Sequence, residues 1–305
     1  NIYEMDGGSQ NDQVSGSAEE TRLQSFFGRI NYNYGNRYLA EFNIRRDGSS
    51  RLPSSNRYAT FPSFSAAWII SNEAFMQNIK WLSSLKLRGS WGKLGNQEIG
   101  NYAYTETLSA QGSYFFGDNK YIGMKTSKIA NGNIKWETTT ITDFGFDASF
   151  WGGRISVVFD WYNKETSDIL LQLPMPSIFL GSLAAPYQNA GKVRNRGWEL
   201  AGNYQDRQGD WQWQAGFSLA GVSNKIIDMN GQESISGSTI NREGYAIGSY
   251  YALKAIGLYR TEDDLKRTNS EGKIITQNGQ APVLGDIMYE DFNDDGNIND
   301  EDRQI

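Results

Sequence analysis

The stretch from Thr142 to Lys164, TDFGFDASFWGGRISVVFDWYNK, decides the fold. Two runs in which apolar and polar residues alternate flank a tight turn at Trp151, Gly152 and Gly153. Since successive strand side chains point to opposite faces, each run predicts a strand with one apolar and one polar face. The second run places on its apolar face Ile155, Val157, Phe159 and Trp161. A soluble β-sandwich and a membrane barrel both use such a hairpin, so the rest of the chain has to distinguish them.

Six further runs repeat this alternation, which makes eight predicted strands between residues 23 and 223. Each is about ten residues long, enough for a tilted strand to cross the hydrocarbon layer of a bilayer. Short or moderate connections alternate with long ones, the former at Gly35, Asn72, Trp151 and Asp206, the latter starting at Asp47, Gly95, Glu165 and Asn224. The pattern predicts an all-β, antiparallel up-and-down transmembrane β-barrel with short periplasmic turns and long extracellular loops.

A soluble sandwich or an extracellular β-rich binding protein also uses alternating strands and glycine-rich loops. Two details favour the barrel. Charged residues share the polar face, which fits a water-filled lumen: Arg29, Glu41, Arg45, Lys86, Arg88, Asp143, Asp147 and Glu199. The apolar face ends in aromatic residues that fit the girdle at the lipid headgroups: Trp91, Trp161, Trp198 and Trp211.

Composition excludes several classes of function. The 305 residues include no cysteine and no histidine, which excludes disulfides, thiolate or His-ligated metals and a Ser-His-Asp triad. We therefore expect no enzyme. A formal net charge of -6 gives no electrostatic reason to expect nucleic-acid binding. No run of eighteen apolar residues occurs, so no transmembrane helix is predicted.

The two ends of the sequence predict a piece of a longer polypeptide. The amino-terminal residues have no basic start and no apolar signal core, and the sequence stops directly after a loop motif. We expect residues 1-22 to form a polar lead or loop and residues 23-223 to form barrel strands with long extracellular loops. Residues 224-305 are expected to form an extracellular loop region with one possible further strand between Tyr245 and Arg260.

The one motif with metal chemistry is DFNDDGNINDED, residues 291-302. It matches an EF-hand-like calcium loop in register, with glycine at position 6 for the sharp turn and isoleucine at position 8. The predicted ligands are Asp291, Asn293, Asp295, Asn297, Asn299 and Asp302. Asn297 contributes its backbone carbonyl and Asn299 acts through water. Position 12 is Asp instead of Glu, so an acidic Asx-turn loop without an ion is the alternative.

Several phrases occur in an order that resembles the barrel of SusC-like TonB-dependent transporters. They are RRDGSSR at 45-51, FPSFSAAW at 61-68, LKLRGSWG at 85-92 with GNQ at 95-97, NIKWET at 133-138, residues 160-171, and NAGKVRNRGWE at 189-199. The similarity covers the chain from about Leu23 to Ile305. It implies part of a barrel of about 22 strands with a plug in its lumen. Loops of the calcium type are frequent in that family.

The resemblance implies TonB-dependent import of a nutrient, an oligosaccharide or a peptide, across the bacterial outer membrane. Its implied partners are a SusD-like surface lipoprotein, TonB acting through the plug, and outer-membrane lipid. Calcium is expected as a structural ion that orders the loop after the eighth strand. Two alternatives stay open at this point: a non-transporting scaffold or receptor subunit of an outer-membrane assembly, and a soluble calcium-dependent carbohydrate-binding protein.

Overall fold

The computed structural model describes residues 18-173, 175-206 and 210-305. Its strands in chain order are β1 Leu23–Tyr34, β2 Tyr38–Ser49, β3 Tyr58–Ile69, β4 Leu82–Asn96, β5 Thr107–Phe116, β6 Asn119–Lys128, β7 Glu137–Phe150, β8 Ile155–Ser167, β9 Leu170–Leu171, β10 Gln188–Asn189, β11 Lys192–Asp206, β12 Trp213–Asp228, β13 Ser234–Ser236, β14 Thr239–Asn241, β15 Ser249–Tyr250, β16 Ala255–Leu258, β17 Thr276–Gln277, β18 Ile287–Tyr289 and β19 Asn297–Ile298. The described residues contain one α-helical segment, α1, Ser177–Leu180. Among the described residues, no helix has the length and apolar character needed to cross a membrane.

Eight long strands form one sheet in the order β1, β2, β3, β4, β7, β8, β11, β12, which we call the wall. Neighbouring wall strands are adjacent in sequence or separated only by small hairpins, as an up-and-down antiparallel barrel requires. β1 and β12 lie at the two edges of the wall. Hydrocarbon does not tolerate unpaired edges, so the open sheet fits a part of a larger barrel. The predicted fold class is confirmed.

The hairpin of β7 and β8 has the predicted register. Phe146 pairs with Phe159 and Phe144 pairs with Trp161, and both pairs of rings stack on the apolar face. Trp151–Gly153 forms a single 3-10 turn in which Gly152 has φ 67° and Gly153 φ 87°. Positive φ values favour glycine, which explains the Gly-Gly pair at this turn.

Connections at one end of the wall are short or held by local hydrogen bonds. Residues 35-37 join β1 to β2, and the longer connection from β3 to β4 contains the 3-10 turns Ile70–Asn72 and Ala74–Met76. Glu73 lies between these two 3-10 turns. Its carboxylate accepts hydrogen bonds from Tyr38 Oη at 2.7 Å and Trp68 Nε1 at 3.0 Å. Asn72 Nδ2 donates to the Asn36 carbonyl at 2.7 Å, so neighbouring turns hold each other.

At the opposite end the connections are long and contain strands that alternation did not reveal, among them β9 and β10 between β8 and β11. The segment 97-136 contains the hairpin of β5 and β6, whereas the sequence predicted only a long connection starting at Gly95. Both faces of this two-stranded hairpin are exposed, so it has no buried face to impose alternation. Its consecutive aromatic residues Tyr114, Phe115 and Phe116 are all exposed.

A small hydrophobic core lies where the long connections meet the wall; we call it the rim core. Phe61, on the polar face of β3, is its contribution from the wall, and connecting segments supply the other members. These are Leu52, Ile99, Ala103, Ile134 and Trp136, all at most 6% exposed. Parts of the connections that contain Leu52, Ile99, Ala103, Ile134 and Trp136 therefore pack against the inner side of the wall.

The chain divides into two units, with the boundary between Ser223 and Asn224. The second unit contains the short strands β13 to β19 and the 3-10 turns Asp264–Lys266 and Asp300–Asp302. The region between Tyr245 and Arg260, expected to hold one possible strand, contains two short ones, β15 and β16.

Candidate functional site

The polar face of the wall carries a charge cluster centred on Arg88 of β4. Its guanidinium lies 2.7 Å from Asp160 Oδ2, 3.3 Å from Asp147 Oδ1 and 3.6 Å from Asp143 Oδ1. Lys86 Nζ is 3.5 Å from Asp147. β4, β7 and β8 contribute these side chains at alternate positions, which is why residues distant in sequence meet on one face. The cluster confirms that the charged residues of these strands share a face.

Further towards β1 the same face continues with polar contacts between β1 and β2 and within β2. Arg29 Nε donates to Asn43 Oδ1 at 2.8 Å, and Arg45 Nε donates to Asp47 at 2.7 Å. A trough of about 1140 Å³ runs along this side of β1 to β4, and its lining includes Glu41. Such a face offers hydrogen-bond donors and acceptors to water or a polar solute.

The other face of the wall is apolar and exposed. Phe144, Trp161 and Trp198 lie in one hydrogen-bonded row across β7, β8 and β11, and between 38% and 58% of each residue's surface is accessible. The next outward-facing residues on β8 and β11 are Asn163 and Arg196, so the apolar surface ends at this row of aromatic residues. An exposed apolar band with an aromatic border is typical of a lipid-facing barrel and does not favour a soluble protein.

Aromatic residues also mark the short-turn end of this face. Tyr34, Tyr38 and Trp68 stack in sequence, with centroid distances of 6.5 and 6.3 Å. Trp81 stacks on Phe150 at 5.8 Å. Tyr204 contacts Trp213 at 4.7 Å. The apolar band is therefore bordered by aromatic residues at both ends, whereas the sequence had suggested only the tryptophans 91, 161, 198 and 211.

Side-chain hydrogen bonds fix the connections around the rim core. Trp136 Nε1 donates to the Arg57 carbonyl at 3.0 Å. Asn189 Nδ2 donates to the carbonyls of Lys135 and Asp168, both at 2.8 Å, and Lys135 Nζ pairs with the Asp168 carboxylate at 3.0 Å. Nothing in the spacing of the segments 133-138 and 189-199 along the sequence predicts that they meet. A buried Trp and an Asn that satisfies two carbonyls explain both phrases physically.

The acidic loop 291-302 folds around its own last residue. Asp302 is fully buried and its carboxylate accepts hydrogen bonds from the backbone N–H groups of Phe292 at 2.8 Å, Asn293 at 3.3 Å and Asn299 at 2.8 Å. Asp291 Oδ2 accepts from Gly296 N at 2.9 Å. Asp291 Oδ1 is buried and has no hydrogen-bond partner.

The other predicted ligands are engaged within the loop or with its neighbours. Asn293 Oδ1 accepts from Asp295 N at 3.0 Å, and Asp295 Oδ1 accepts from Asn297 N at 2.7 Å. Asn297 Oδ1 accepts from Gly279 N at 2.7 Å, and Asn299 Nδ2 donates to the Asn297 carbonyl at 3.0 Å. In the described parts of the chain, no three Asp, Glu, His or Cys residues are grouped closely enough to hold a metal.

Neighbouring segments hold the acidic loop in place. β17 pairs in parallel with β19, which lies inside the loop. Asp294 accepts hydrogen bonds from the hydroxyl and the backbone N–H of Ser270, and these bonds hold the pKa of the Asp294 carboxyl below its usual value. The loop is thus a well-connected part of the second unit, with one orphaned carboxylate oxygen in its interior.

Comparisons with known proteins agree with this architecture. A family profile described as TonB dependent receptor-like, beta-barrel matches residues 2–277. TonB-dependent receptor P3 of Formosa agariphila is 32% identical over 315 residues, covering 99% of this chain and 30% of that protein. TonB-dependent receptor SusC of Bacteroides thetaiotaomicron is 32% identical over 290 residues, covering 89% of this chain and 28% of that protein.

Solved structures of the RagAB peptide importer share the fold. The open-open state aligns with a TM-score of 0.71 at 28% identity, covering 94% of this chain and 31% of that chain. The closed-closed state gives a TM-score of 0.70 at 29% identity, covering 88% and 28%. The chain thus spans less than a third of the proteins it matches. With its amphipathic wall, polar inner face and family match over most of its length, the chain belongs to the β-barrel family of TonB-dependent, SusC-like outer-membrane receptors.

Proposed function

We propose that the protein containing this chain imports a nutrient, a peptide or an oligosaccharide, across the bacterial outer membrane with energy delivered through TonB. The observation that carries the proposal is the two-faced wall. Its outward side is apolar with aromatic borders, and its inward side is lined by the Arg88 cluster and the trough beside β1 to β4. A water-compatible inner surface is what a polar solute needs in order to cross a bilayer.

A peptide is favoured over an oligosaccharide by one comparison only. RagAB, a structural relative with TM-scores near 0.7, is a peptide transporter and importer. The similarity to the TonB-dependent receptor SusC of Bacteroides thetaiotaomicron does not favour either substrate class. The substrate class has to be decided by experiment.

The test is growth of a strain that makes the full-length protein on peptides or on oligosaccharides as the limiting nutrient. We expect deletion of the gene, or of tonB, to abolish growth on one class and to leave growth on simple sugars unchanged. Growth that is independent of the gene and of tonB on both classes would instead support a scaffold or receptor subunit. Surface labelling of the tonB-deletion cells shows whether the barrel is still present.

A SusD-like surface lipoprotein is the proposed partner at the long-connection end. The family supports it, and the rim core supplies a fixed surface there, because Leu52, Ile134 and Trp136 are buried and their segments are joined by hydrogen bonds. Affinity purification of the full-length protein from membranes tests this pairing. Recovery of the barrel alone under mild detergent conditions would contradict it.

We also propose that the acidic loop binds calcium. Support comes from the oxygen-rich register of residues 291-302 and from Asp291 Oδ1, which is buried without a partner although Asp291 Oδ2 accepts a hydrogen bond from Gly296 N. An orphaned carboxylate oxygen costs free energy that a cation would recover. Calcium has to compete with three backbone N–H groups for Asp302, which predicts weak binding compared with a loop ending in glutamate.

Limited proteolysis of the intact protein tests this ion. We expect cleavage near Asp291 to be faster in chelator than in calcium, and the Asp291→Asn variant to lose the difference. Asp263→Asn, an exposed carboxylate outside the loop, is the matched control and should keep it. Equal cleavage with chelator and with calcium in the unmodified protein would show that the loop is an Asx-turn structure without an ion.

A further inference from the structure

The outward face of the wall changes from apolar to cationic at the long-connection end. On each of six neighbouring wall strands, from β2 to β11, we identify the first polar residue beyond the apolar band on this face. In strand order these residues are Arg46, Thr60, Lys93, Thr142, Asn163 and Arg196. Three of the six are cationic and none is anionic. The chain as a whole has a formal net charge of -6, so this excess is local.

Register shows that these residues follow one level around the barrel. Arg196, Asn163 and Thr142 lie in one hydrogen-bonded row, which continues through Trp91 and Phe64 to Phe42 on β2. Arg46 lies four residues beyond Phe42 on the same strand, five strand spacings from Arg196. Barrel strands tilt by about 40°, so a line parallel to the membrane advances roughly one residue per strand. The three cations therefore lie at a similar depth.

These cations are free to meet a ligand from outside the barrel. Arg46 and Arg196 are exposed, and Lys93 is half-exposed. Arg46 lies over the ring of Tyr58 at 5.4 Å, and Arg196 Nε donates to Asn163 Oδ1 at 2.8 Å. Among the described residues, no carboxylate is within ion-pair distance of any of the three cations.

The next outward residues strengthen the positive potential. Lys192 and Arg194 share a single carboxylate, that of Glu165, at 2.9 and 2.8 Å. The short-turn end differs, because Arg37 pairs with Glu73 at 3.3 Å and Arg154 pairs with Asp206 at 2.8 Å. Arg37 and Arg154 at the short-turn end are thus each paired with a carboxylate, whereas within the described part of the chain Arg46, Lys93 and Arg196 are not.

We propose that Arg46, Lys93 and Arg196 form a belt that binds the phosphate groups of the lipids surrounding the barrel in the outer leaflet. The excess of outward-facing cations begins where the apolar band ends. This is the depth at which the headgroups of the bilayer lie, so their phosphates would meet these cations. Phosphorylated glycolipid is the outer-leaflet lipid whose headgroup fits such a belt. This inference concerns the lipid contact and is independent of which nutrient passes through the lumen.

The test uses the full-length protein and native mass spectrometry with two probes, phosphorylated lipid A and the same lipid A after removal of its phosphates. We expect the unmodified protein to retain the phosphorylated form preferentially. The variant Arg46→Gln/Lys93→Gln/Arg196→Gln should lose that preference, by about fivefold for each cation removed. Lys120→Gln/Lys125→Gln/Lys266→Gln removes the same charge from exposed positions outside the wall and should retain it.

Three results would overturn the belt: equal retention by the triple variant, equal binding of both lipid forms by the unmodified protein, or full displacement of the lipid by millimolar inorganic phosphate. The last outcome would indicate a site for a free anion. Heat-dependent migration in electrophoresis verifies that each variant is a folded barrel. If the triple variant does not fold, Lys93→Gln alone is measured, and no change in its lipid preference would contradict the proposal. Nutrient growth assays on the same variants separate this result from the transport proposal.

Discussion

The wall strands and the irregular segments of this chain are held together by different physics. In the wall, side chains alternate between an exposed apolar face and a polar face with the Arg88 cluster, and backbone hydrogen bonds join neighbouring strands. The irregular segments are held together by small cores and by hydrogen bonds between side chains and backbone groups, as at Trp136 and Asp302. The difference predicts that single substitutions act on the two regions through different mechanisms.

The rim core should show the largest effect, because it depends on one large side chain. Trp136 is 6% exposed, meets the ring of Phe61 edge-on at 5.5 Å and donates to the Arg57 carbonyl. We expect Trp136→Ala to cost about 3–5 kcal/mol of local stability. Hydrogen exchange of the segments 49-57 and 97-136 in the full-length protein measures it. Trp211→Ala removes an exposed ring and should leave the exchange of both segments unchanged.

Adjacent positions of β8 test whether the two faces of the wall meet different solvents. Phe159 faces outward beside Phe146, whereas Val158 faces inward beside Asp147. An arginine on the lipid face of a barrel costs about 2–4 kcal/mol near the bilayer midplane. We therefore expect Phe159→Arg to reduce folding into lipid vesicles by that amount and Val158→Arg to have little effect. Equal costs at the two positions would contradict the assignment of the faces.

The wall was predictable from sequence because its physical rule is periodic. A strand that separates lipid from water must alternate apolar and polar side chains. This alternation predicted the hairpin at residues 142-164 and the other wall strands, eight in all. The hairpin of β5 and β6 was not predictable in this way. Exposure of both its faces removes the constraint that produces alternation, and its register contains irregularities between Ala110 and Ser113.

The acidic loop should show an intermediate effect. Asp302→Asn keeps the shape of the buried side chain but replaces one accepting carboxylate oxygen with an NH2 donor. The carboxylate accepts from the backbone N–H groups of Phe292, Asn293 and Asn299, so at least one of these groups loses its acceptor. Leaving such groups unsatisfied costs about 1–3 kcal/mol. Hydrogen exchange of residues 291-302 in excess chelator measures this without any contribution from an ion. Asp300→Asn, whose side chain is 87% exposed, is the control, and an equal effect there would show that burial of Asp302 is unimportant.

The positions of the site residues were predictable only where one short segment contains them all. The loop register singled out Asp291 and Asp302 as calcium ligands, which stays a prediction, and the structure buries Asp302 at the centre of the loop. The rim core unites Leu52, Phe61 and Trp136 from three separate segments, and no local pattern encodes that meeting. Contacts between distant segments depend on tertiary packing, which periodicity does not report.

The smallest expected effect concerns Glu73, which joins the two kinds of region at the short turns. Hydrogen bonds from Tyr38 and Trp68, with the nearby Arg37 guanidinium, hold the pKa of the Glu73 carboxyl below its usual value. A carboxyl with a lowered pKa in the folded state stabilises the fold above its unfolded pKa of about 4.3, and this contribution is lost as the pH falls. We expect Glu73→Gln to lower the melting temperature at pH 7 and to have less effect near pH 3. Glu106→Gln, at an exposed position in the connection from β4 to β7, should change neither value, and a pH-independent difference at Glu73 would contradict a role for its charge.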